Sequence, residues 1–187
     1  MSSLGSILRG MDSFCRRLVS LIDGLNYWVG HGVAWATLGL VLLVAADVFM
    51  RYVLSISFVF TQELEWHVFA FIFLMGAGCT LLYDGHVRVD IFYQQLGPKG
   101  KAWVNLLGVI FLLIPGCYLV IDTAIPWVYN SYLIMEGSPD PGGIPYRFII
   151  KSTVPIGFTL LLLQGISLGI KSLYTLLGKD LGEGYTG

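Results

Sequence analysis

Charge is what this sequence has least of. Only 12% of its 187 residues are Asp, Glu, Lys or Arg, about half the share found in ordinary soluble domains. The net charge of −1 leaves no basic surplus for a phosphate backbone, so nothing points to nucleic acid as a partner. Three cysteines, Cys15, Cys79 and Cys117, show no CxxC spacing, which argues against a disulfide framework or a zinc site and for small buried hydrophobes. Histidine is equally sparse, with only His31, His67 and His86. There is no P-loop, no nucleophile elbow and no pair of carboxylates within an apolar stretch, so catalysis has no visible seat. Repeated ten-residue alternation is missing too, and with it the signature of a transmembrane barrel.

What remains is hydrophobic. Apolar residues make up 56% of the chain, and the mean hydropathy is +0.75. Four runs, 27–46, 64–82, 102–121 and 152–170, reach or approach the length that carries a helix across about 30 Å of hydrocarbon. The reading is an all-α integral membrane protein with four transmembrane helices, at about 27–49, 61–82, 102–128 and 152–176. Together they form a membrane domain of 25–177, followed by a glycine-rich flexible tail, 178–187.

The few cations set the orientation. Arg9, Arg16 and Arg17 precede the first span, Arg88, Lys99 and Lys101 lie between the second and third, and Lys171 and Lys179 follow or close the fourth. Only Arg51, Arg147 and Lys151 fall on the opposite side, so the positive-inside rule puts both termini in the cytoplasm. Residues 1–24 form an amphipathic arm. Ile7, Leu8, Met11, Phe14, Cys15, Leu18, Leu21, Ile22 and Leu25 recur at helical spacing, opposite Arg9, Asp12, Arg16, Arg17 and Asp23. Such a helix is expected to lie in the cytoplasmic interface with Arg9, Arg16 and Arg17 toward anionic lipid. A polar extension of the first span is the other reading. Trp103 suits an interface anchor for the third span.

The acids of the spans, Asp47, Glu63, Glu65 and Asp122, gather toward their outer ends. Asp47 and Arg51 stand four apart on one helix face. In "FTQELEWHVFAFIFLMGAG", Glu63 and His67 share a face while Glu65 points nearly opposite, and burial of this kind calls for protein contacts. Arg51 is the nearest counter-charge across the short link. The small residues of "MGAGC" and "GISLG" read as helix-packing devices, and Pro115 with Gly116 predicts a kink in the third span. The last span is expected to start near Pro155. The long connection containing "EGSPDPGGIPYR" predicts a folded loop against the membrane surface. His31 and His67 fall toward opposite membrane faces and cannot share a haem, and His31 with His86 lacks a completing ligand cluster. An autonomous carrier would want internal repeats and interrupted helices meeting at the midplane, and neither is evident. A small carrier and the membrane anchor of a redox complex stay as the rival readings.

Three stretches, "DVFMRYV", "TQELEWHVFAFIFLMGAG" and "DGHVRVDIF", resemble the small membrane subunit (DctQ-type) of tripartite ATP-independent periplasmic (TRAP) transporters, over about residues 25–175. The resemblance singles out Arg51 with Tyr52, then Glu63, Gly76, and His86 with Val89 and Asp90. Gln62 stands where that family often has a second acid, and Trp66 where it often has an arginine. The resemblance implies a non-transporting scaffold in the bacterial inner membrane. Its partners would be a large membrane transport subunit, a periplasmic substrate-binding protein and lipid, within a sodium-driven importer of organic anions such as 2-oxo acids. Sodium would bind the large subunit, and no cofactor is expected here. Glu63 and His67 are expected to meet Arg51 or groups of the large subunit, the outer loop to touch the binding protein, and the His86–Asp90 element to order the second connection.

Overall fold

A computed structural model describes residues 2–85 and 93–179, with side chains from Gly10 onward. The described chain is helical throughout. Helix α1 runs Ser2–Val53, α2 Val59–Leu82, α3 Pro98–Gly108, α4 Ile114–Leu133 and α5 Phe148–Leu176. A single π turn, Val109–Leu113, joins α3 to α4 into one rod. Four segments are long and apolar enough to cross a membrane: Gly10–Val53, Val59–Leu82, Pro98–Leu133 and Phe148–Leu176. In hydrocarbon every backbone N–H and C=O must be bonded within the chain, and an uninterrupted helix does this without help from water.

Helix α5 is the axis of the assembly. It packs on α1, on α2 and on the α3–α4 rod, while α1 otherwise packs on α2. The first turns of α1, the ends of α2 and α5 and the start of α3 share one end of the bundle, called here the terminal end. The link 54–58 and the loop 134–147 occupy the other, the loop end. Small residues set the helix spacing, as their pattern implies. A Cβ on Gly157 would stand 2.6 Å from the Leu74 carbonyl oxygen, and one on Gly78 would collide with the Asn26 amide. Both ends of "GISLG" receive the rod, Gly165 under Leu113 and Gly169 under Val109. Gly76 is less constrained, with only Val33 at 3.5 Å; its neighbour Gly78 makes the tight contact.

Two expectations need correction, and a third gains its local geometry. The N-terminal arm is not a separate helix in the plane of the interface, because it continues unbroken into the first span and runs along α5. No Gly-Pro break separates the two, and the arm's acids find partners on and just beyond α5, Asp23 at Lys171 and Asp12 at Tyr174 and Lys179. The last helix begins at Phe148, so Pro155 lies inside it; without an N–H, Pro155 leaves the Lys151 carbonyl without its helical donor. The irregularity ahead of Pro115 is the π turn, which widens the helix where the proline ring would otherwise press on the Phe111 carbonyl.

Candidate functional site

The surface is as apolar as the interior, so the informative groups are the buried polar ones. They form two clusters. At the terminal end, Asp23 has no exposed surface. Its Oδ1 accepts from Gln164 Nε2 at 2.9 Å and from Ser167 Oγ at 2.7 Å, and its Oδ2 accepts from Lys171 Nζ at 2.6 Å. Asn26, one turn further along α1, donates to Gln164 Oε1 at 2.9 Å. Nearer the chain ends, Asp12 accepts from the Tyr174 hydroxyl at 2.8 Å and from Lys179 Nζ at 3.0 Å. These contacts bolt α1 to α5. The sequence offered Asp12 and Asp23 only as members of a polar face.

At the loop end, Glu63 is buried and holds the loop rather than pairing with Arg51. Ser138 Oγ and the Ile144 N–H donate to its two carboxylate oxygens. Arg51 instead donates to Asp47 on its own helix, as an i,i+4 pair that helical geometry makes immediately available. Tyr52 is exposed. The loop itself is folded. Ser138 N–H bonds to the Ile144 carbonyl at 3.1 Å, Arg147 N–H bonds to the Glu136 carbonyl at 2.7 Å, and Lys151 donates to the Glu136 carboxylate. That ammonium holds the Glu136 carboxyl below its ordinary range. Lys151 also caps the Trp127 ring at 4.5 Å, and the Arg147 guanidinium lies 5.5 Å from the Trp66 ring. A guanidinium thus does reach the place held by Trp66, supplied by a distant part of the chain.

His67 lies one turn below Glu63 and is also buried. Its Nδ1 is 2.6 Å from the Glu63 carbonyl oxygen, and since a carbonyl can only accept, Nδ1 carries the proton. The bare Nε2 has no partner among the described residues. His67 lines an open groove of about 660 Å³ between α1, α2 and α5, roofed by Pro145 and Tyr146. Apart from His67 and Thr153 the lining is apolar or glycine. Arg16, Arg17 and Trp103 are exposed. The side chain of Arg9, and His86, Val89 and Asp90, lie outside the described residues.

The two clusters do not connect. Gly78 abuts Asn26, and from there to His67 is eleven residues, roughly 16 Å along α2. The buried side chains facing that interval, Leu160 and Thr153, carry no charge, and Thr153 spends its hydroxyl on the Ile150 carbonyl. Among the described residues no group of three or more His, Cys, Asp or Glu is placed to hold a metal ion.

Two comparisons bear on this arrangement. The family model described as "Tripartite ATP-independent periplasmic transporters, DctQ component" matches residues 40–173. A protein of Haemophilus influenzae named as a TRAP transporter small permease protein is 26% identical over 110 residues, covering 56% of this chain and 65% of that relative. The matched region is therefore just under two thirds of the relative's length. No solved structure matches the chain significantly.

Proposed function

The chain belongs to the DctQ-component family of tripartite ATP-independent periplasmic transporters, and from that membership we propose that it is the static, non-transporting scaffold subunit of its transporter. The family is one of transport components, not enzymes. In this reading a large membrane subunit moves the solute, a periplasmic binding protein delivers it, and a sodium gradient drives import of an organic anion, a carboxylate such as a 2-oxo acid. Sodium binds the large subunit. This chain enlarges and anchors the part of the large subunit that stays still, in the bacterial inner membrane.

The observation that carries the proposal is the separation of the two buried polar clusters. A conduit for an anion needs polar groups that meet it along the way, because a charge at the bilayer centre is costly. Here the buried carboxylates are held by contacts within the chain, Asp23 by α5, Glu63 by the loop and Asp47, through one oxygen, by Arg51. Orientation follows from the cation count, with the termini cytoplasmic and the loop end periplasmic. The folded loop around Pro139 to Gly143 then faces the side on which a binding protein would dock.

The test is purification of the chain in mild detergent after co-expression with the large membrane subunit of its transporter. Stoichiometric recovery of the large subunit is expected. A coloured sample would favour a redox anchor, and a chain that stays alone would remove the scaffold reading.

A further inference from the structure

One stripe of α1 is left largely bare by the described residues. Met11, Phe14, Leu18, Leu21, Leu25, Trp28, Gly32, Trp35 and Gly39 follow one another at alternating steps of three and four, the a/d spacing of a coiled-coil seam. Most of the stripe faces away from the bundle, and its last member, Gly39, lies at the rim of the groove beside His67. Phe14 is 66% exposed, Leu21 73%, Trp28 71% and Trp35 73%, and nothing lies within 4 Å of where a Cβ on Gly32 or Gly39 would stand. The opposite side of the same turns, with Val19, Ile22, Asp23 and Asn26, is buried against the bundle.

The length and chemistry of the stripe restrict what covers it. From Met11 to Gly39 it runs about 42 Å at 1.5 Å per residue, more than the roughly 30 Å of hydrocarbon. Its first part stands level with Arg16, Arg17, Lys171 and Lys179, since Asp12 reaches Lys179 and Asp23 reaches Lys171. Those cations place Met11 and Phe14 outside the hydrocarbon. Lipid chains end at the headgroups, and a soluble protein cannot follow the stripe into the membrane. A transmembrane helix that continues past the boundary covers both parts.

A second copy of the chain fits badly. Copies inserted in the same orientation meet in parallel, so Gly32 faces Gly32 and Trp35 faces Trp35. Glycine layers draw two backbones together and tryptophan layers force them apart, and one interhelical distance cannot satisfy both. The complementary occupant sets bulky side chains against Gly32 and Gly39 and small ones against Trp28 and Trp35.

We propose that the Met11–Gly39 stripe of α1 is the docking seam for a transmembrane helix of a different membrane subunit, one that extends beyond the hydrocarbon at the terminal end. This rests on the scaffold reading above, with the large membrane subunit as the chain that supplies the helix.

A photo-crosslinking residue placed in turn at Phe14, Leu21 and Trp35, and for comparison at Phe111 and Tyr118 on the exposed face of the rod, tests it in the co-expressed complex. The stripe positions are expected to capture the large subunit more strongly than the rod positions. Capture from the rod alone, or stripe adducts only to lipid or to a second copy, overturns the proposal and leaves the scaffold reading standing. A large subunit that never accompanies the unsubstituted chain removes both. The double variant F14E/L21E alters only exposed side chains and is expected to lower recovery of the large subunit about tenfold or more, while S20E, on the flank of the same helix, leaves it unchanged. Equal recovery with F14E/L21E and S20E would likewise overturn the seam.

Discussion

Each end of this bundle buries a carboxylate that binds a distant part of the chain, and the two are used differently. At the terminal end, Asp23 binds groups from a helix 141 to 148 residues later in the chain, including a formal cation. At the loop end, Glu63 binds a hydroxyl and a backbone N–H of a surface loop. The first contact joins two spans; the second shapes a connection. Loss of Asp23 should therefore unlatch helices, and loss of Glu63 should loosen a loop while the bundle persists.

The largest effect is expected at Asp23. Asp23→Ala leaves the Lys171 ammonium, Gln164 and Ser167 around an emptied site. Lys171 is itself only partly buried, so the cost falls near the low end for a broken buried pair, about 3 kcal/mol. In a chain of this size that corresponds to a fall of about 6–12 °C in apparent melting temperature in detergent. The double variant D23L/K171M should recover part of the loss, because an apolar pair replaces the ion pair at little net cost while Gln164 and Ser167 stay without their acceptor. A fall as large in the double variant as in Asp23→Ala would deny the pairing its role.

Between the two ends, Gly157→Ala drives a methyl against the Leu74 carbonyl, and should cost about 1–3 kcal/mol by overpacking. Gly39→Ala meets open space and should stay within about 0.5 kcal/mol in the isolated chain. Similar melting temperatures for these two variants would contradict the close approach of α2 and α5.

A more local effect is expected from Glu63→Ala. Amide exchange at Ile144 should rise by about tenfold or more as the N–H loses its acceptor, with the amides of α5 beyond Gly157 unchanged. Uniform acceleration along α5 would show that Glu63 holds the bundle and not the loop, and would erase the contrast between the ends.

The smallest effect is a pH dependence at the loop end. Lys151 keeps the Glu136 carboxyl below its ordinary value of 4.5. The folded form thus binds its proton less readily than the unfolded form. The stabilisation is complete above that ordinary value and disappears as the pH falls through the lower folded one. Loop amides such as Arg147 should exchange faster as the protein is acidified below about 4.5, and Glu136→Gln should flatten the response.

Much of the fold was legible because bilayer thickness demands long apolar runs, and glycine marks close helix approach whichever helix arrives. The orientation of polar faces was less so. In water the apolar face of a helix turns inward. Here the polar side of the arm carries Asp12 and Asp23 into the bundle and the apolar stripe is left outside. Sequence pattern cannot say which of two faces finds a partner when lipid, protein and core are all apolar. Glu63 illustrates the same limit. Proximity in sequence favoured Arg51, but Asp47 lies nearer on the same helix, and the groups that hold Glu63 arrive 75 to 81 residues later. The π turn and the internal Pro155 were hidden because they depend on how a proline is accommodated after the helix has packed.

The most direct measurement is organic-anion uptake, under an inwardly directed sodium gradient, into proteoliposomes of matched protein content made with the chain alone, the large subunit alone, or both, each supplied with the binding protein. Flux is expected to require the large subunit, with none above empty vesicles from this chain by itself. Sustained, saturable uptake by the chain alone would contradict a static role.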